Sequence, residues 1–321
     1  MPTDDQIVRW PGDFGQRFIV FVDTEEEFDW ARPFSRDARA TSAVAAIPAA
    51  HARFAAAGVP LAFMIDHPIV SDPRAVDILR RTLEDGQSSI GTQLHPWVNP
   101  PFDEAVTAVN SFPGNLPLAL EAAKIDVLTA TITDAFGTAP RAYRAGRYGI
   151  GPATIGLLAD RGYRLDSSIR ARYNYSAQGG PDFTAIGNQA FRTGGLIELP
   201  LTTVFTGRLR RQGPSLYPLL GLVSRGRGLM ARSGLLSRVA LTPEQMPLAD
   251  ALEAVQVAVE DGVDVLNFSF HSPSLVPGHT PYVRDSADLA AFYRWWDAVF
   301  ALLDRLGVRP IGLDALIAAA G

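Results

Sequence analysis

Residues 89–97 read SIGTQLHPW, and this short segment combines a strand with a candidate site. Its first half is typical of a buried strand. The strand then ends in polar side chains, Gln93 and His95, and Pro96 interrupts it. In a parallel β/α barrel, the loops at the carboxyl ends of the strands converge over the barrel mouth, and ligands bind there. The segment therefore predicts a β/α fold and the position of a binding site within it.

Strand-like apolar runs alternate with helical runs along most of the chain. Seven runs are typical of strands, at 17–23, 60–66, 88–95, 141–148, 163–168, 196–202 and 264–271. Helical segments are predicted at 41–57, 119–136, 248–261 and 287–306. Two further helical segments are predicted to end at Gly86 and at Asp160. Because the strands mostly lack polar and apolar alternation, we expect a parallel sheet covered on its outer face, closed or nearly closed into a barrel.

No internal repeat or low-complexity linker divides the chain, so we expect one domain spanning residues 1–321. Two loop insertions interrupt it, at about 96–117 and about 203–243. The second lacks Asp and Glu although the whole chain has a net charge of −5. Its arginines are Arg208, Arg210, Arg211, Arg225, Arg227, Arg232 and Arg238. We expect either a peripheral contact of 208–238 with an anionic lipid surface or a helical lid whose arginines pair with the acidic body.

The amino-acid composition limits which side chains can bind a metal and which partners are expected. The chain has no cysteine, which excludes disulfides and thiolate ligands, so any metal must be held by carboxylate, imidazole or amide oxygen. The negative net charge argues against nucleic acid as a partner. Residues 1–6 lack the features of a signal peptide, and no apolar run approaches about 18 residues, so we expect a cytoplasmic location. Nothing in the sequence predicts the oligomeric state.

Five predicted strands end in polar residues that a packed core would not favour. These ends are Asp23-Thr24-Glu25, Gln93-Leu94-His95, Arg144-Ala145-Gly146-Arg147-Tyr148, Asp166-Ser167-Ser168 and His271-Ser272-Pro273. Since the carboxyl ends of parallel strands meet at one edge of a barrel, we expect these side chains to form one site.

In their order, these motifs resemble the polysaccharide deacetylases of the NodB homology type, carbohydrate esterase family 4. The resemblance spans about 18–306, and its most specific pieces are 143–148 (YRAGRY), 166–168 (DSS), 268–274 (FSFHSPS) and 277–282 (PGHTPY). It implies an α/β fold of the distorted (β/α)7 barrel type shared by NodB proteins and related glycoside hydrolases and deacetylases. It also implies a hydrolase of carbon–nitrogen bonds other than peptide bonds, which removes an acetyl group from an amino sugar with the help of a metal. The sugar would belong to a polysaccharide, an oligosaccharide or a lipid-linked sugar.

The resemblance implies a role for each motif residue. Asp23 matches the catalytic base of the family, and His271 matches its catalytic acid. Arg147 matches the arginine that keeps the base ionised, and Asp166 matches the aspartate that tunes the acid. Arg144 is expected to share the role of Arg147 or to bind substrate.

The metal positions depart from the family pattern. Thr24 replaces the ligand that follows the base, so that role passes to Glu25, for which a solvated acidic turn is the alternative. Gln93 and Trp97 replace two histidines spaced four residues apart, and His95 lies between them. The resemblance thus implies a divalent metal, zinc or similar, held by Glu25, His95 and Gln93.

Two other functions stay open on the same fold. Because the metal positions are altered, the chain could be a non-catalytic carbohydrate-binding protein, in which aromatic side chains near the mouth stack on sugar faces. It could also hydrolyse an amide or imide in a small N-acylated molecule that is not a sugar. The predicted substrate-binding residues are Arg144, Tyr148, Trp97 and Tyr282. Each motif residue also has a structural alternative, such as an ion pair for Arg147, a turn cap for Asp166 or a buried histidine at 95 or 271.

Overall fold

Seven parallel strands form one curled sheet in the computed structural model, which describes residues 1–321. The strands are β1 (Arg17–Thr24), β2 (Leu61–Ile65), β3 (Ser89–Leu94), β4 (Ala142–Ala145), β5 (Leu165–Asp166), β6 (Phe191–Thr193), β7 (Leu196–Glu198), β8 (Thr203–Thr206), β9 (Ser237–Ala240), β10 (Val265–His271) and β11 (Arg309–Pro310). The parallel order is β10-β1-β2-β3-β4-β5-β7, and β11 pairs with the start of β1. Strand β6 adds an antiparallel edge to β7, and β8 pairs only with β9. The seven parallel strands are the seven predicted from the sequence.

Ten α-helices accompany the strands. They are α1 (Ile47–Ala56), α2 (His67–Ser71), α3 (Pro73–Thr82), α4 (Leu118–Phe136), α5 (Thr154–Ala159), α6 (Gly213–Leu220), α7 (Gly226–Arg232), α8 (Leu248–Glu260), α9 (Ser286–Arg305) and α10 (Leu313–Ala320). Helices α4, α8 and α9 match their predicted bounds within a residue or two. None of the helices is both long enough and apolar enough to cross a membrane.

The parallel sheet curls as a half-barrel, and strand pairing does not continue between β7 and β10. A few backbone hydrogen bonds cross this gap, from Thr202 to Asn267 (3.3 Å) and from Ser269 to Leu241 (3.2 Å). Directly after Thr202, the chain leaves the sheet to form the separate β8–β9 pair of the second insertion. The structure thus shows the α/β class and the parallel sheet of the sequence prediction, whereas a complete (β/α)7 barrel is not shown.

Strand β1 is apolar from Phe18 to Val22, and both faces of this stretch are buried. Phe18, Val20 and Val22 belong to the larger core cluster, which also contains side chains of α1, α8 and α9. Ile19 and Phe21 belong to a second cluster on the other face, together with side chains of α10. Burial of each such side chain stabilises the fold by about 1.5–3 kcal/mol. Helix α10 packs against this second face of the sheet. The carboxyl ends of the strands are left free to form a site.

Lys124 in α4 fixes the start of the first insertion, 96–117. Its buried ammonium group donates hydrogen bonds to the carbonyls of Pro96 (3.0 Å), Asn99 (2.6 Å) and Pro101 (2.6 Å). These three acceptors and the carboxylate of Glu104, 3.2 Å away, compensate the charge for its loss of water. The loop that follows β3 is thereby held against α4, which positions the end of the HPW segment.

The second insertion contains helices α6 and α7 between strands β8 and β9. Of its seven arginines, Arg210 alone has carboxylates within 4.0 Å, those of Glu260 (2.8 Å) and Asp261 (3.5 Å). The expected general pairing of these arginines with the acidic body is therefore not found.

Candidate active site

The carboxyl ends of the strands surround a cavity of about 330 Å³. Its walls are formed by Asp23, Glu25, Phe28, Asp29, Trp30, Arg32, Phe34, Gln93, His95, Trp97, Arg144, Ala145, Arg147, Tyr148, Arg170, Tyr175, His271 and Tyr282. Strands β1, β3, β4 and β10 thus all contribute their carboxyl ends, as expected for a parallel sheet. Of the predicted site residues, only Asp166 does not line this cavity.

Asp23 and His271 face each other because their strands are neighbours. They are register partners at the ends of β1 and β10. The Oδ2 atom of Asp23 lies 3.8 Å from Nε2 of His271, which is beyond hydrogen-bonding distance. Asp23 is only 2% exposed. A carboxylate and an imidazole are thus presented side by side to the cavity.

Arg144 is the ion-pair partner of Asp23. Its Nη1 donates to Oδ1 of Asp23 at 2.6 Å, and the arginine is 1% exposed. Ser167 fixes the other side of the guanidinium, accepting from Nε and from Nη2 at 3.0 Å each. A buried charge-assisted pair of this kind determines the position of both groups.

Arg147 does not contact Asp23, so the contact predicted for it belongs to Arg144. Its guanidinium donates instead to the hydroxyl of Ser111 (2.5 Å), the carbonyl of Ala108 (3.1 Å) and the side chain of Gln178. Arg147 and Tyr148 both have positive φ, at 56° and 61°. Left-handed conformations at two consecutive non-glycine residues are strained. The chain leaves the sheet after β4 in this turn, and Arg147 contacts the first insertion through Ala108 and Ser111.

Glu244 orients His271, although no sequence pattern identifies it as a site residue. Its Oε2 lies 2.6 Å from Nδ1 of His271, and its Oε1 accepts the backbone N–H of His271 at 3.0 Å. Ser274 donates a further hydrogen bond to Oε1 (2.6 Å). Burial disfavours the charged imidazole, but the carboxylates of Glu244, Glu25 and Asp23 outweigh that effect and raise the pKa of His271 to about 10. His271 is therefore an imidazolium at neutral pH, with Nε2 facing Asp23.

Asp166 does not tune His271, contrary to the role implied by the resemblance. It is buried beneath the cavity, where it accepts a hydrogen bond from the hydroxyl of Ser168. Its other neighbour is Glu198, its register partner on β7. Burial raises the pKa of Asp166, and also that of Glu198. The contact with Ser168, two residues later, agrees with the turn-capping alternative.

His95 lies between two glutamates of the segment that follows β1. Its Nδ1 is 2.8 Å from Oε2 of Glu26, and its Nε2 is 3.5 Å from Oε2 of Glu25. The indole N–H of Trp97 donates to Oε1 of Glu26 at 2.8 Å. Asp66, the N-cap of α2, accepts the backbone N–H of Glu26 at 2.8 Å and lies 4.0 Å from Nδ1 of His95. The HPW segment is thus tied to β1 and to the end of β2.

Gln93 and Glu25 each place one side-chain oxygen without a hydrogen-bond partner in the cavity wall. Gln93 donates from Nε2 to Oε2 of Glu25 (3.2 Å), which leaves Oε1 of Gln93 and Oε1 of Glu25 buried and unpaired. Burial raises the pKa of Glu25 to about 7 and that of Glu26 to about 8. Buried acceptors without donors are costly unless a cation or another donor satisfies them.

A buried carboxylate–histidine triad could hold a metal ion. Ligand atoms of Glu26, Asp66 and His95 lie within 4.8 Å of one another. Oxygen and imidazole donors of this kind suit divalent ions such as Zn²⁺ or Mn²⁺. Neither Glu26 nor Asp66 was predicted from the sequence as a site residue, although Glu26 lies within the acidic turn at 25–27.

The close approach of β4 to His95 requires glycine at position 146. A Cβ atom built on Gly146 would lie 2.5 Å from Cδ2 of His95 and 2.6 Å from the carbonyl oxygen of Leu94. Such distances are incompatible with a side chain at this position. Gly146 thus allows the backbone just before the strained turn at 147–148 to approach the imidazole of His95 closely.

Aromatic rings form much of the cavity wall. The predicted rings of Trp97, Tyr148 and Tyr282 all line it. Trp30 lies edge-on to His271 at 5.1 Å and to Tyr282 at 5.4 Å. Phe34 stacks on Trp97 at 4.3 Å. The loop 28–34 that supplies these additional rings was not identified from the sequence, because it has no periodic pattern.

Comparison with known proteins supports the fold alone. No protein-family model matches the chain, and no curated protein sequence matches it. Among solved structures, a protein from Mycobacterium smegmatis assigned as a polysaccharide deacetylase aligns over 100% of this chain and 94% of its own, with a TM-score of 0.52 and 16% identity. An allantoinase aligns over 97% and 91% (TM-score 0.52, 14% identity). A protein from Pseudomonas aeruginosa assigned as a polysaccharide deacetylase aligns over 97% and 92% (TM-score 0.51, 14% identity). The chain thus shares its fold with these proteins.

Proposed function

We propose that the protein is a hydrolase of carbon–nitrogen bonds other than peptide bonds and removes an N-acyl group, most simply acetyl, from an amino sugar. One observation carries this proposal. A carboxylate, Asp23, and an imidazolium, His271, lie 3.8 Å apart in one cavity, and each is held by a buried partner of opposite charge. Amide hydrolysis needs a base that takes a proton from water and an acid that gives one to the leaving nitrogen. The shared fold is consistent with this class of reaction.

Each group has a defined task in this proposal. Asp23, fixed by Arg144, accepts a proton from the attacking water. His271, charged at neutral pH because of Glu244, donates the proton at Nε2 to the departing amine. Glu244 and Arg144 position these two groups, since each contacts its partner on the side away from the other reactive atom. The aromatic wall excludes bulk water from the reacting centre.

The cavity donors fit a divalent metal ion. The unpaired oxygens of Glu25 and Gln93, together with Nε2 of His95, form an oxygen and imidazole set on the cavity side. Glu26 would then be the carboxylate that orients His95 through Nδ1, a common arrangement behind metal-bound histidines. A bound ion would polarise the acyl carbonyl and acidify water. We therefore propose Glu25, His95 and Gln93 as the metal residues. The cluster of Glu26 and Asp66 around His95 is the competing location.

A small amide or imide is the second candidate substrate. A cavity of about 330 Å³ accommodates a single small molecule or one sugar unit, and aromatic side chains enclose it on several sides. One of the structures with the same fold is an allantoinase. This version keeps Asp23 and His271 in the same roles and changes only the molecule that is cleaved.

Product analysis tests the proposal. Purified protein supplied with Zn²⁺, Mn²⁺ or Co²⁺ is incubated with N-acetylglucosamine, with chitin oligomers and with allantoin, and released acetate, free amine and ring-opened product are measured. Release of acetate and amine supports deacetylation, while ring opening alone supports the imide version. Binding of sugar without any hydrolysis, unchanged in D23N and H271Q, would instead establish the non-catalytic binding protein.

A further inference from the structure

Arg170 is a charged side chain in the cavity wall without a counter-ion. No carboxylate lies within 4.0 Å of its guanidinium, and its Nε is buried with no hydrogen-bond partner. Its neighbours are aromatic, with the guanidinium carbon 3.9 Å from the ring centre of Tyr173 and 5.5 Å from that of Tyr148. Stacking on these rings holds the guanidinium in place but does not satisfy its donors.

The other cations of the cavity already have partners for their charge or for their donors. Arg144 is neutralised by Asp23, and His271 by Glu244. Arg32 lies 3.1 Å from Asp29 at the rim. Arg147 has no carboxylate partner, but three neutral acceptors occupy its donors. Arg170 is therefore the cavity cation with both its charge and its Nε donor uncompensated.

A small side lobe of the cavity lies next to Arg170. This lobe, of about 50 Å³, shares Tyr148, Arg170, His271 and Tyr282 with the main cavity. The rest of its wall is largely polar and includes Thr202, Thr242, Glu244, Gln245, Asn267 and Ser269. The carboxylate of Glu244 is already engaged by the ring and backbone N–H groups of His271 and by the hydroxyl of Ser274. A group bound there would contact the guanidinium of Arg170 and lie beside the imidazole of His271.

We propose that Arg170 and this side lobe bind an anionic oxygen group of the substrate, a carboxylate or a phosphate, adjacent to the bond that is cleaved. An unpaired guanidinium in a partly dry cavity binds such groups well, because its fork of N–H donors matches two of their oxygens. The inference rests on the proposed function for the identity of the cleaved bond. The anion site itself stands on the geometry of Arg170.

Two measurements on the wild type and three variants test this inference. Calorimetric titration with inorganic phosphate and with succinate measures anion binding without catalysis. Acetate release is then compared between neutral N-acetylglucosamine, N-acetylmuramic acid with its carboxylate, and N-acetylglucosamine 6-phosphate. The variants are R170Q, R170K and, as a control of equal charge change on the exposed insertion, R211Q. Thermal unfolding of each variant verifies that it is folded.

We expect at least one of the two anions to bind to the wild type and to R211Q, and R170Q to weaken that binding about tenfold or more, which is about 1.4 kcal/mol. We also expect the preference in kcat/KM for one charged sugar over the neutral one to fall by a similar factor, with R170K intermediate. Whether the carboxylate or the phosphate probe is preferred distinguishes the two sources. Anion binding that R170Q leaves unchanged, or its absence from the wild type, overturns the inference.

The outcomes separate this inference from the proposed function. Arg170-dependent anion binding without acyl release from any probe supports the anion site and contradicts N-deacylation. Equal hydrolysis of neutral and charged sugars by the wild type and R170Q supports N-deacylation and overturns the anion site.

An independent feature, the hairpin of α6 and α7, exposes apolar side chains to solvent. Leu219, Leu222, Val223 and Leu229 are 59%, 84%, 61% and 70% exposed. They are four of the nine large apolar side chains exposed in the whole chain, and they lie within eleven residues. Such clustering marks a contact surface, whereas scattered exposed leucines do not.

The same hairpin is strongly basic. Arg225, Arg227 and Arg232 are exposed in it, and residues 203–243 contain no Asp or Glu. From this we infer that the hairpin docks on an anionic lipid surface, with the leucines entering the headgroup layer and the arginines meeting lipid phosphates. A lipid surface offers apolar and anionic groups together, and each basic residue near it strengthens the attachment.

Vesicle co-sedimentation tests the docking surface. We expect the protein to pellet with phosphatidylglycerol vesicles, to do so less with phosphatidylcholine vesicles, and to be released by high salt. The double variants L222S/V223S and R225Q/R227Q lose the binding. L118S, which changes an exposed leucine of α4 instead, retains it. Equal pelleting with both lipids, pelleting that neither double variant reduces, or no pelleting at all overturns the assignment.

Discussion

Asp23 and His271 are register partners on adjacent parallel strands, and this pairing brings Oδ2 of the carboxylate to 3.8 Å from Nε2 of the imidazole. Both side chains extend from strand ends whose backbones are fixed by the sheet. Behind them, Arg144 and Glu244 provide the opposite charges. The acid and the base of the proposed reaction are therefore positioned by the sheet itself, which limits their movement.

Glu244 controls the protonation state of His271. Replacing it with glutamine (E244Q) removes the main stabilising charge, so we expect the pKa of His271 to fall from about 10 towards its ordinary value of 6.5. Nuclear magnetic resonance titration of the ring nitrogens measures this directly and needs no substrate. E260Q, which removes a surface carboxylate, is the matched control. An unchanged titration of His271 in E244Q would contradict the assignment.

The raised pKa of His271 also links stability to pH. Because the folded protein binds this proton more tightly than the unfolded chain does, the contribution is complete below about pH 6.5. It is lost as the pH rises towards about 10. We expect the wild type to lose more of its free energy of unfolding across this range than H271Q does. Urea unfolding at a series of pH values measures the difference, and parallel pH curves for the two proteins would count against it.

The buried pair of Arg144 and Asp23 makes a testable contribution to stability. R144M removes the hydrogen-bonded counter-ion of the buried Asp23 and leaves only the imidazolium of His271 at 3.8 Å, so we expect a loss of about 3–5 kcal/mol in the free energy of unfolding. The double variant D23N/R144M removes the uncompensated charge and should recover part of that loss. Denaturant unfolding of the two single variants and the double variant gives the coupling. Additive losses would show that the two groups do not interact.

Metal content distinguishes the two candidate metal locations. If the ion binds on the cavity side, E25Q abolishes stoichiometric Zn²⁺ or Mn²⁺, whereas E26Q only loosens His95 and weakens binding by about 10–100-fold. Elemental analysis and calorimetric titration measure both effects. Retention of the ion by E25Q together with its loss from E26Q would place it between Glu26, Asp66 and His95 instead.

Gly146 can be tested through its contact with His95. In G146A the new methyl group collides with the imidazole and with the carbonyl of Leu94, so we expect a loss of about 1–3 kcal/mol and weaker metal binding. G156A in α5 is the control, since its methyl group meets no atom within 4 Å. Equal thermal stability of the two variants would show that His95 has room to move.

The strands and the position of the site could be predicted because they depend on local signals. Each buried strand is a continuous apolar run, and polar residues follow it where the chain leaves the sheet. Asp23, His95, Arg144 and His271 were identified by this signal and by the resemblance, and all four line the cavity.

The partners of these residues could not be predicted, since they come from distant parts of the chain. Glu244 lies in the segment after β9, with no pattern around it, yet it contacts His271. Whether Arg144 or Arg147 reaches Asp23 depends on the left-handed turn that begins at Arg147, which periodicity does not indicate. The open edge of the sheet likewise depends on where the second insertion leaves it.

The central claim is that Asp23 and His271 act together as base and acid in cleaving an N-acyl bond. It is tested most directly by single-turnover acetate release from the N-acetylated sugar that the wild type cleaves best. We expect D23N and H271Q each to lower the rate by about 10²–10⁴-fold, and the double variant to be little slower than either single one. Release of acetate by D23N or H271Q at a rate near that of the wild type would contradict the claim.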